Sequence, residues 1–185
     1  GGFYVYGSHE TGALPRGLIP IRIDAAQAFG TGHHETTTGC LEAIERVLKR
    51  KKPMRPIDVG TGTGILAIAV AKRRKLPVIA SDIDPLAVRI TLENARANGV
   101  AHMIVAVDAA GVDHTTISGN APYDLIIANI LAGPLVELSP DIGRIADRGA
   151  AIVLSGLLNT QAQRIIAAYN RQGMVLKDRV VRKDW

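Results

Sequence analysis

Apolar positions recur at two spacings along this chain, one typical of helices and one typical of buried strands. In segment 35–51, Leu41, Ile44, Val47 and Leu48 are spaced three or four residues apart, which predicts a helix with one apolar face. Short continuous apolar runs predict strands between the helical segments. The predicted strands cover residues 55–60, 77–84, 103–108, 123–130 and 150–158, and the predicted helices cover residues 35–51, 65–75, 85–99, 133–147 and 160–172.

Capping residues mark the ends of the later helices. Pro85 stands at the start of one predicted helix, and Gly99 at its C-terminal stop. Asn159 is the predicted N-cap of the last helix and Gly173 its stop. Strands that alternate with helices predict an α/β fold, a doubly wound and mostly parallel sheet covered by helices on both faces.

The first 28 residues differ from the rest of the chain. They are rich in glycine, contain two prolines, and predict an extended lead-in or linker with one strand at 18–23. We therefore divide the chain into a lead-in at 1–28 and one domain at 29–185.

The composition excludes several classes of protein but does not indicate a function. The chain has 185 residues, 47% hydrophobic and 21% charged, which is typical of one soluble globular domain. Apolar runs such as 65–71 are far shorter than the roughly 20 residues of a membrane span, and no signal-peptide pattern opens the chain. Cys40 is the single cysteine, which excludes an internal disulfide. We expect a cytoplasmic protein that does not contact membranes.

The net charge of +5 comes largely from two basic runs, 49–52 and 72–75. Each run ends a predicted helix, where cations complement the helix dipole, so we favour solvated helix ends. A surface for nucleic acid or an acidic partner is the alternative. With seven aromatic residues in the chain, a base-stacking platform is not expected, and neither is direct nucleic-acid binding.

The stretch "DVGTGTG" at 58–64 follows a predicted strand and opens a helix. Gly60, Gly62 and Gly64 permit a tight turn and a close approach of the backbone to a ligand at the helix N-terminus. The spacing is GxGxG rather than the dinucleotide GxGxxG, and no phosphate-binding lysine follows, so a phosphate site is disfavoured.

Acidic residues end the next two predicted strands. Asp82 lies 22 residues after Gly60, where a carboxylate can accept the hydroxyls of a ribose, and Asp108 ends the following strand. Asp84 stands just before Pro85. A helix N-cap is the alternative for each acid taken singly, but together they favour a nucleoside site.

Asn129 ends the fourth strand of the domain, in "ANILAGPL". We predict that its amide faces the amine of a substrate and carries the catalytic role, with a capping role as the alternative.

The stretch "FGTGHHETTTGC" at 29–40 contains two adjacent histidines, His33 and His34. With three other histidines and one cysteine in the chain, none at ligand spacing, we predict no metal site.

Five stretches in order carry a resemblance to a known family: "AFGTGHHETT", "DVGTGTGILAIA", "SDIDPLAV", "NILAGPL" and "LSGLL". From about residue 20 onward the chain resembles the PrmA family, the methyltransferases of ribosomal protein L11. The resemblance implies a class I, Rossmann-like fold that binds S-adenosylmethionine. Position by position, the family's cofactor contacts fall on Thr37, Gly60, Asp82 and Asn129. The further cofactor-binding candidates are Thr31, Asp58, Gly62 and Asp108.

The resemblance also implies the reaction and the partner. The expected reaction is methyl transfer to amines of ribosomal protein L11, at lysine side chains or the N-terminal α-amine. His34 would order its loop, and Thr37 would lie beside the methionine end of the cofactor. We expect a monomer.

The chain departs from the family pattern in three places. The family's "DPG" reads "DAA" at 24–26, and we expect the chain to lack the family's N-terminal recognition domain and to stop, at Trp185, where a final antiparallel strand would begin. We therefore expect a truncated last strand, and a chain that binds S-adenosylmethionine but methylates free L11 poorly.

Three alternatives stay open at this point. A methyltransferase of the same kind could act on a lysine of another protein. A non-catalytic module could bind at the ribosome through its basic surface, and it would not need Asn129 or the Thr37 loop. A nucleotide-dependent oxidoreductase would need the GxGxxG turn.

Overall fold

The structure is a computed structural model that describes residues 2–10, 12–24 and 31–185, with side chains from residue 35 onward in the last range. The strands are β1 (Phe3–Tyr6), β2 (Ile19–Arg22), β3 (Pro56–Val59), β4 (Val78–Asp82), β5 (Ile104–Asp108), β6 (Tyr123–Asn129) and β7 (Ala146–Ser155). The helices are α1 (Thr31–Arg50), α2 (Ile65–Arg74), α3 (Pro85–Ala97), α4 (Thr115–Asn120), α5 (Ala132–Glu137), α6 (Ser139–Ile145) and α7 (Ala162–Asn170).

Five strands form the main sheet, in the order β5-β4-β3-β6-β7, and every pair is parallel. The predicted α/β architecture is confirmed. The chain moves outward from β3 to β5 and then returns to place β6 beside β3. This reversal creates a crevice at the carboxyl ends of β3 and β6, which is where open α/β sheets bind ligands.

Apolar side chains fill both faces of this sheet. Along β6, Leu125 and Ile127 belong to a cluster that contains α1 and α2, whereas Ile126 and Ala128 belong to a cluster that contains α5, α6 and α7. This alternation follows from the two-residue period of a strand. Both faces of β6 are therefore buried, which accounts for its nearly continuous apolar sequence.

A second, two-stranded parallel sheet joins β1 to β2 within the segment 1–28. The predicted strand at 18–23 is confirmed, but β1 was not predicted. Ile21 and Ile23 are buried in the same cluster as α2, and the Arg22 backbone N–H donates to Asn98 Oδ1 at 3.0 Å. This segment therefore packs on the domain, and the division at residue 28 stays a prediction.

Most predicted helix ends agree with the structure. Asp84 caps α3 by accepting from the Leu86 N–H at 2.8 Å, and Pro85 occupies the first turn. After α7, Gly173 has a φ of 78°, and the Met174 N–H donates to the Tyr169 carbonyl. This is the glycine-stopped helix end that the sequence predicts.

The Asn159 prediction was wrong. A 3₁₀ turn at Asn159–Gln161 precedes α7, whose N-cap position falls on Gln161. The Asn159 side chain instead donates to the Lys183 carbonyl at 3.1 Å and accepts from Arg179 at 3.2 Å. Contacts with the C-terminal segment, distant in sequence, thus replace the local cap.

The boundaries around β7 also shift. The proline-interrupted stretch 133–147 forms two helices, α5 and α6, and β7 begins at Ala146 rather than at residue 150. A register shift opposite Tyr123 and Leu125 accommodates the additional residues, and Gly149 adopts a φ of 77° there. Among the described residues, no helix is long and apolar enough to cross a membrane.

Candidate functional site

The carboxyl edge is the rim of the main sheet where its strands end, at Val59, Asp82, Asp108, Asn129 and Ser155. The N-termini of α2 and α3 lie just beyond the ends of β3 and β4 in the chain. Their free N–H groups give this edge a positive partial charge that suits polar or anionic ligand groups.

The glycine loop, residues 60–64, joins β3 to α2. Gly60, Gly62 and Gly64 all have positive φ, at 70°, 58° and 81°. The N–H groups of Gly60 and Thr61 both donate to the Ser81 carbonyl, which ties the loop to β4. A Cβ at Gly60 would overlap the Ile130 side chain, so glycine is required there for close approach as well as for backbone conformation.

Asp58 lies fully buried beneath this loop. Its Oδ2 accepts from the Thr61 hydroxyl at 2.8 Å and from the Ala67 N–H at 3.2 Å. Its Oδ1 has no hydrogen-bond partner among the described residues. Burial raises the pKa of Asp58 to about 6, against the opposing effect of these hydrogen bonds. The contacts that the structure gives Asp58 hold the loop, and a direct contact with a cofactor stays a prediction.

Asp82 stands at the end of β4 and braces the same loop from the other side. Its Oδ2 accepts from the Gly62 N–H at 2.8 Å, and its Oδ1 accepts from the Asp84 N–H at 3.0 Å. A carboxylate has about four acceptor positions, so both oxygens can still accept a hydroxyl. Asp84, in contrast, serves as a helix cap, which was the alternative for each of these acids.

Asp108 is the direct strand partner of Asp82 in the parallel register of β4 and β5. Its side chain is exposed at the end of β5, one strand further from the centre of the sheet. The structure therefore brings Asp82 and Asp108 side by side on the carboxyl edge.

Asn129 and Thr37 meet at the end of β6. The Asn129 Nδ2 donates to the Thr37 Oγ1 at 3.3 Å, and Thr37 is buried in the second turn of α1. The Asn129 Oδ1 is also buried, and it has no hydrogen-bond partner among the residues that the structure describes. A buried, unpaired amide oxygen is costly, and such an atom at the edge of a crevice is suited to accept a donor from a ligand.

Sequence reasoning missed the part played by Ser155 and Gly156. Ser155 is the strand partner of Asn129, and its hydroxyl donates to the Thr36 carbonyl at 3.2 Å, which fixes α1 against β7. Gly156 has a φ of 85°, and a Cβ there would overlap the backbone of Ile130. The stretch "LSGLL" is one of the family motifs, but its spacing alone does not show these contacts.

Two exposed apolar side chains were also missed. Ile83 follows Asp82 and is 72% exposed, and Leu131 stands two residues after Asn129 and is 65% exposed. The signal available in the sequence is an apolar residue next to a polar strand end. Both side chains add apolar surface to the carboxyl edge.

Some predicted residues lie outside this description. The backbone of Thr31, His33 and His34 belongs to α1, but their side chains are outside the described part, as are residues 25–30. In the described part of the chain, no group of three or more histidine, cysteine or acidic side chains is placed to hold a metal ion.

Comparison with known proteins assigns the chain to a family. The family model described as ribosomal protein L11 methyltransferase (PrmA) matches residues 2–185. The chain belongs to this family. Ribosomal protein L11 methyltransferases of Brucella suis and of a Chelativorans strain are each 46% identical to this PrmA chain over 185 residues.

The chain spans 65% of the length of the Brucella suis relative and 64% of the Chelativorans relative, while all of the chain is covered. The relatives are therefore longer proteins, and the match establishes the family of the part compared.

Solved structures support the same assignment. A ribosomal protein L11 methylase from Lactobacillus delbrueckii subsp. bulgaricus has a TM-score of 0.82 at 31% identity, covering 96% of this chain and 89% of that one. An RNA methyltransferase from Salinibacter ruber, solved with S-adenosyl-L-homocysteine, has a TM-score of 0.52 at 19% identity and covers 61% of this chain and 73% of that one. At that identity it supports the fold alone, which is the class I methyltransferase fold.

Proposed function

We propose that this PrmA-family chain binds S-adenosylmethionine at its carboxyl edge and transfers the methyl group to an amine of ribosomal protein L11. The observation that carries the proposal is the pairing of Asn129 with Thr37 beside the glycine loop. It leaves a buried amide oxygen, with no partner in the described part of the chain, in the crevice of a methyltransferase fold.

The residues of the edge fit the parts of this cofactor. Asp82 would accept the ribose hydroxyls. Its strand partner Asp108 and the exposed apolar side chain of Ile83, which would face the base, support this assignment. The glycine loop with Gly60 and Gly62 permits close approach, and the start of α1, with Thr31 and Thr37, would lie near the amino-acid end. S-adenosylmethionine supplies a methyl group already activated by its sulfonium charge.

The main contribution of the chain to the reaction is to position the acceptor amine. The acceptor amine must be unprotonated, and deprotonating a lysine with a pKa near 10.4 at neutral pH costs about 4.6 kcal/mol, against about 1 kcal/mol for an α-amine. A neighbouring positive charge and loss of solvent both disfavour the ammonium form. The Asn129 Oδ1 can accept one N–H of the amine and so direct its lone pair along the line of attack.

The names of the relatives support L11 as the acceptor protein. The relatives named for L11 methylation are longer than this chain, so the substrate and the activity of the whole protein are part of the proposal. A general base is not required by this scheme, because the environment rather than a paired side chain favours the neutral amine.

Calorimetric titration with S-adenosylmethionine tests the cofactor, and NADH serves as the comparison for a nucleotide-dependent oxidoreductase. We expect saturable binding of the first and no binding of the second. Binding of NADH alone would contradict the proposal. Transfer of a labelled methyl group to purified L11, at saturating cofactor, then tests the acceptor.

Asn129→Ala tests the catalytic role. We expect a large fall in kcat with little change in the Kd of the cofactor, because the orphaned oxygen is reserved for the acceptor amine. Asn120→Ala, which alters an exposed amide at the opposite edge of the sheet, is the matched control and should leave both quantities unchanged. Weakened cofactor binding with normal turnover would make Asn129 a binding residue only.

A further inference from the structure

The amino edge, where the strands of the main sheet begin, carries a concentrated positive charge. Helices α1 and α2 precede β3 and β4 in the chain, so their C-terminal ends lie at this edge. Its basic surface consists of Lys49, Arg50, Lys51, Lys52, Arg55, Arg73, Arg74, Lys75 and Arg148. The two basic runs lie at the ends of different helices, and side-chain contacts bring them together.

A carboxylate shared between the helices joins the two runs. Glu45, buried on α1, pairs with Lys49 at 3.7 Å and with Arg73 of α2 at 3.3 Å. On the other side, Arg55 pairs with Asp147 at 3.1 Å, and Lys51 Nζ donates to the Gly149 carbonyl. The first two contacts hold the ends of α1 and α2 together, and the other two tie the segment between α1 and β3 to the beginning of β7. The two basic runs, Arg55 and Arg148 therefore lie at the same edge of the sheet.

The charge of this surface is not balanced by the acids within it. Glu45 and Asp147 are engaged as described, and Asp124 accepts from the backbone N–H groups of Met54 and Arg55. Nine cations thus share three carboxylates. The net positive charge faces solvent, because Arg50, Lys52, Lys75 and Arg148 are all exposed.

Helix dipoles do not account for the whole surface. A cation complements the dipole only within the last turn of a helix. Lys52 follows the end of α1, Arg55 immediately precedes β3, and Arg148 lies within β7. The basic surface therefore extends beyond the positions that helix capping explains.

The composition of the surface favours a phosphate backbone over a protein partner. The centre of a protein interface is usually enriched in aromatic side chains and depleted of lysine. The described segments that form this surface, 49–55, 73–75 and 147–149, contain no aromatic residue, and Met54 is their exposed large apolar side chain. Without aromatic residues, unpaired bases have nothing to stack on, whereas the phosphates of a duplex need only cations.

We propose that the basic surface binds the phosphate backbone of a nucleic-acid duplex, independently of sequence and of the proposed methyl transfer. The carboxyl edge lies at the other end of the strands and stays open to its own ligands while the duplex is bound. From the sequence alone, the two basic runs are best explained as solvated helix ends. Because the structure brings them together at one edge, we favour a nucleic-acid surface instead.

Fluorescence anisotropy with the 185-residue chain tests the proposal. The probes are a labelled RNA duplex of about 20 base pairs, a DNA duplex of the same sequence, and labelled polyglutamate, between roughly 50 and 200 mM salt. We expect both duplexes to bind, with log K falling linearly with log salt, and polyglutamate to bind much more weakly. Tighter binding of RNA than of DNA would identify an A-form duplex as the natural ligand, and equal binding would identify the shared phosphate backbone. No duplex binding at the lowest salt, or equal binding of polyglutamate, would overturn the proposal.

Charge reversal locates the binding surface. Arg50→Glu with Arg148→Glu should weaken duplex binding by about tenfold or more and lower the salt slope by roughly one for each phosphate that is no longer neutralised. Arg89→Glu with Arg164→Glu makes the same change in net charge at exposed arginines near the beginnings of α3 and α7, away from the amino edge, and should have little effect. Equal weakening in the two double variants would show a general charge effect and overturn the assignment. Thermal melting of each variant confirms that it is folded.

Discussion

The two edges of the main sheet are built from the same strands but have opposite characters. At the carboxyl edge, Gly60, Gly64 and Gly156 have positive φ and pack against neighbouring atoms. Asp58 is fully buried there, and the buried Asn129 amide oxygen has no partner among the described residues. At the amino edge, Glu45 is buried, but most of the charged groups are exposed arginines and lysines, and a Cβ added at Gly149 would meet no described atom within 4 Å. The parallel fold itself causes this difference, because it places helix N-termini at one edge and helix C-termini at the other.

The comparison implies that the carboxyl edge tolerates change poorly and the amino edge tolerates it well. The first edge combines close packing with desolvated polar groups, each of which makes a substitution costly. The second is hydrated, so its interactions are individually weak. Matched substitutions at the two edges should therefore differ in the size of their effects.

The largest difference is expected between two glycines. Gly156→Ala adds a Cβ that overlaps the Ile130 backbone at a φ of 85°, so we expect a loss of about 3 kcal/mol or more in the free energy of unfolding. Gly149→Ala, at a φ of 77° with nothing within 4 Å of its Cβ, should cost about 1–2 kcal/mol. Urea denaturation of both variants measures the losses. Equal losses would show that the two edges are packed alike.

Asp58 gives the carboxyl edge a dependence on pH. Its pKa is raised from 3.8 to about 6, so the folded chain binds the extra proton between these values and loses stability as the pH rises through this range. The loss is complete above about pH 6 and amounts to about 3 kcal/mol. Asp58→Asn keeps the side chain neutral and should remove this fall. Urea denaturation at several pH values measures it, and parallel profiles for the two proteins would contradict the assignment.

Substitution of Asp82 and of Asp147 compares the contribution of an acid at each edge to cofactor affinity. Asp82→Ala removes the acceptor proposed for the ribose and should weaken S-adenosylmethionine binding by about 1.5–3 kcal/mol. Asp147→Ala removes the partner of Arg55 at the amino edge and should leave the affinity unchanged. Calorimetric titration measures both, with circular dichroism to show that the loop braced by Asp82 remains folded. Unchanged affinity in the Asp82 variant would remove its ribose role.

The smallest effect is expected from Arg55→Ala. Both partners of the Arg55–Asp147 pair are partly exposed, at 49% and 37%, so the pair should contribute about 0.2–1 kcal/mol to stability. The contribution should shrink further at high salt because exposed charges are screened. Denaturation at low and high salt checks both points. A loss of several kcal/mol would mean that the amino edge is as tightly organised as the carboxyl edge.

The sequence by itself determined the elements and much of the edge where the site lies. The pattern of apolar residues predicts the five strands of the main sheet and most of the helices because it reports which face each segment buries. The glycine loop, the Pro85 helix start and the Gly173 stop were predicted because backbone conformation at glycine and proline is a local property. Asp82 and Asp108 were predicted together because parallel strands end at one edge.

Only the tertiary structure decided which side chains meet. Thr37 and Asn129 are 92 residues apart in the chain, and Glu45 joins basic runs on two different helices. Asn159 binds the C-terminal segment instead of capping α7, and Asp58 accepts a hydrogen bond from the glycine loop above it. Local sequence patterns determine the conformation of a segment. The partner of a polar side chain, however, depends on which distant segment packs against it, and this packing is determined by the burial of apolar residues across the whole domain.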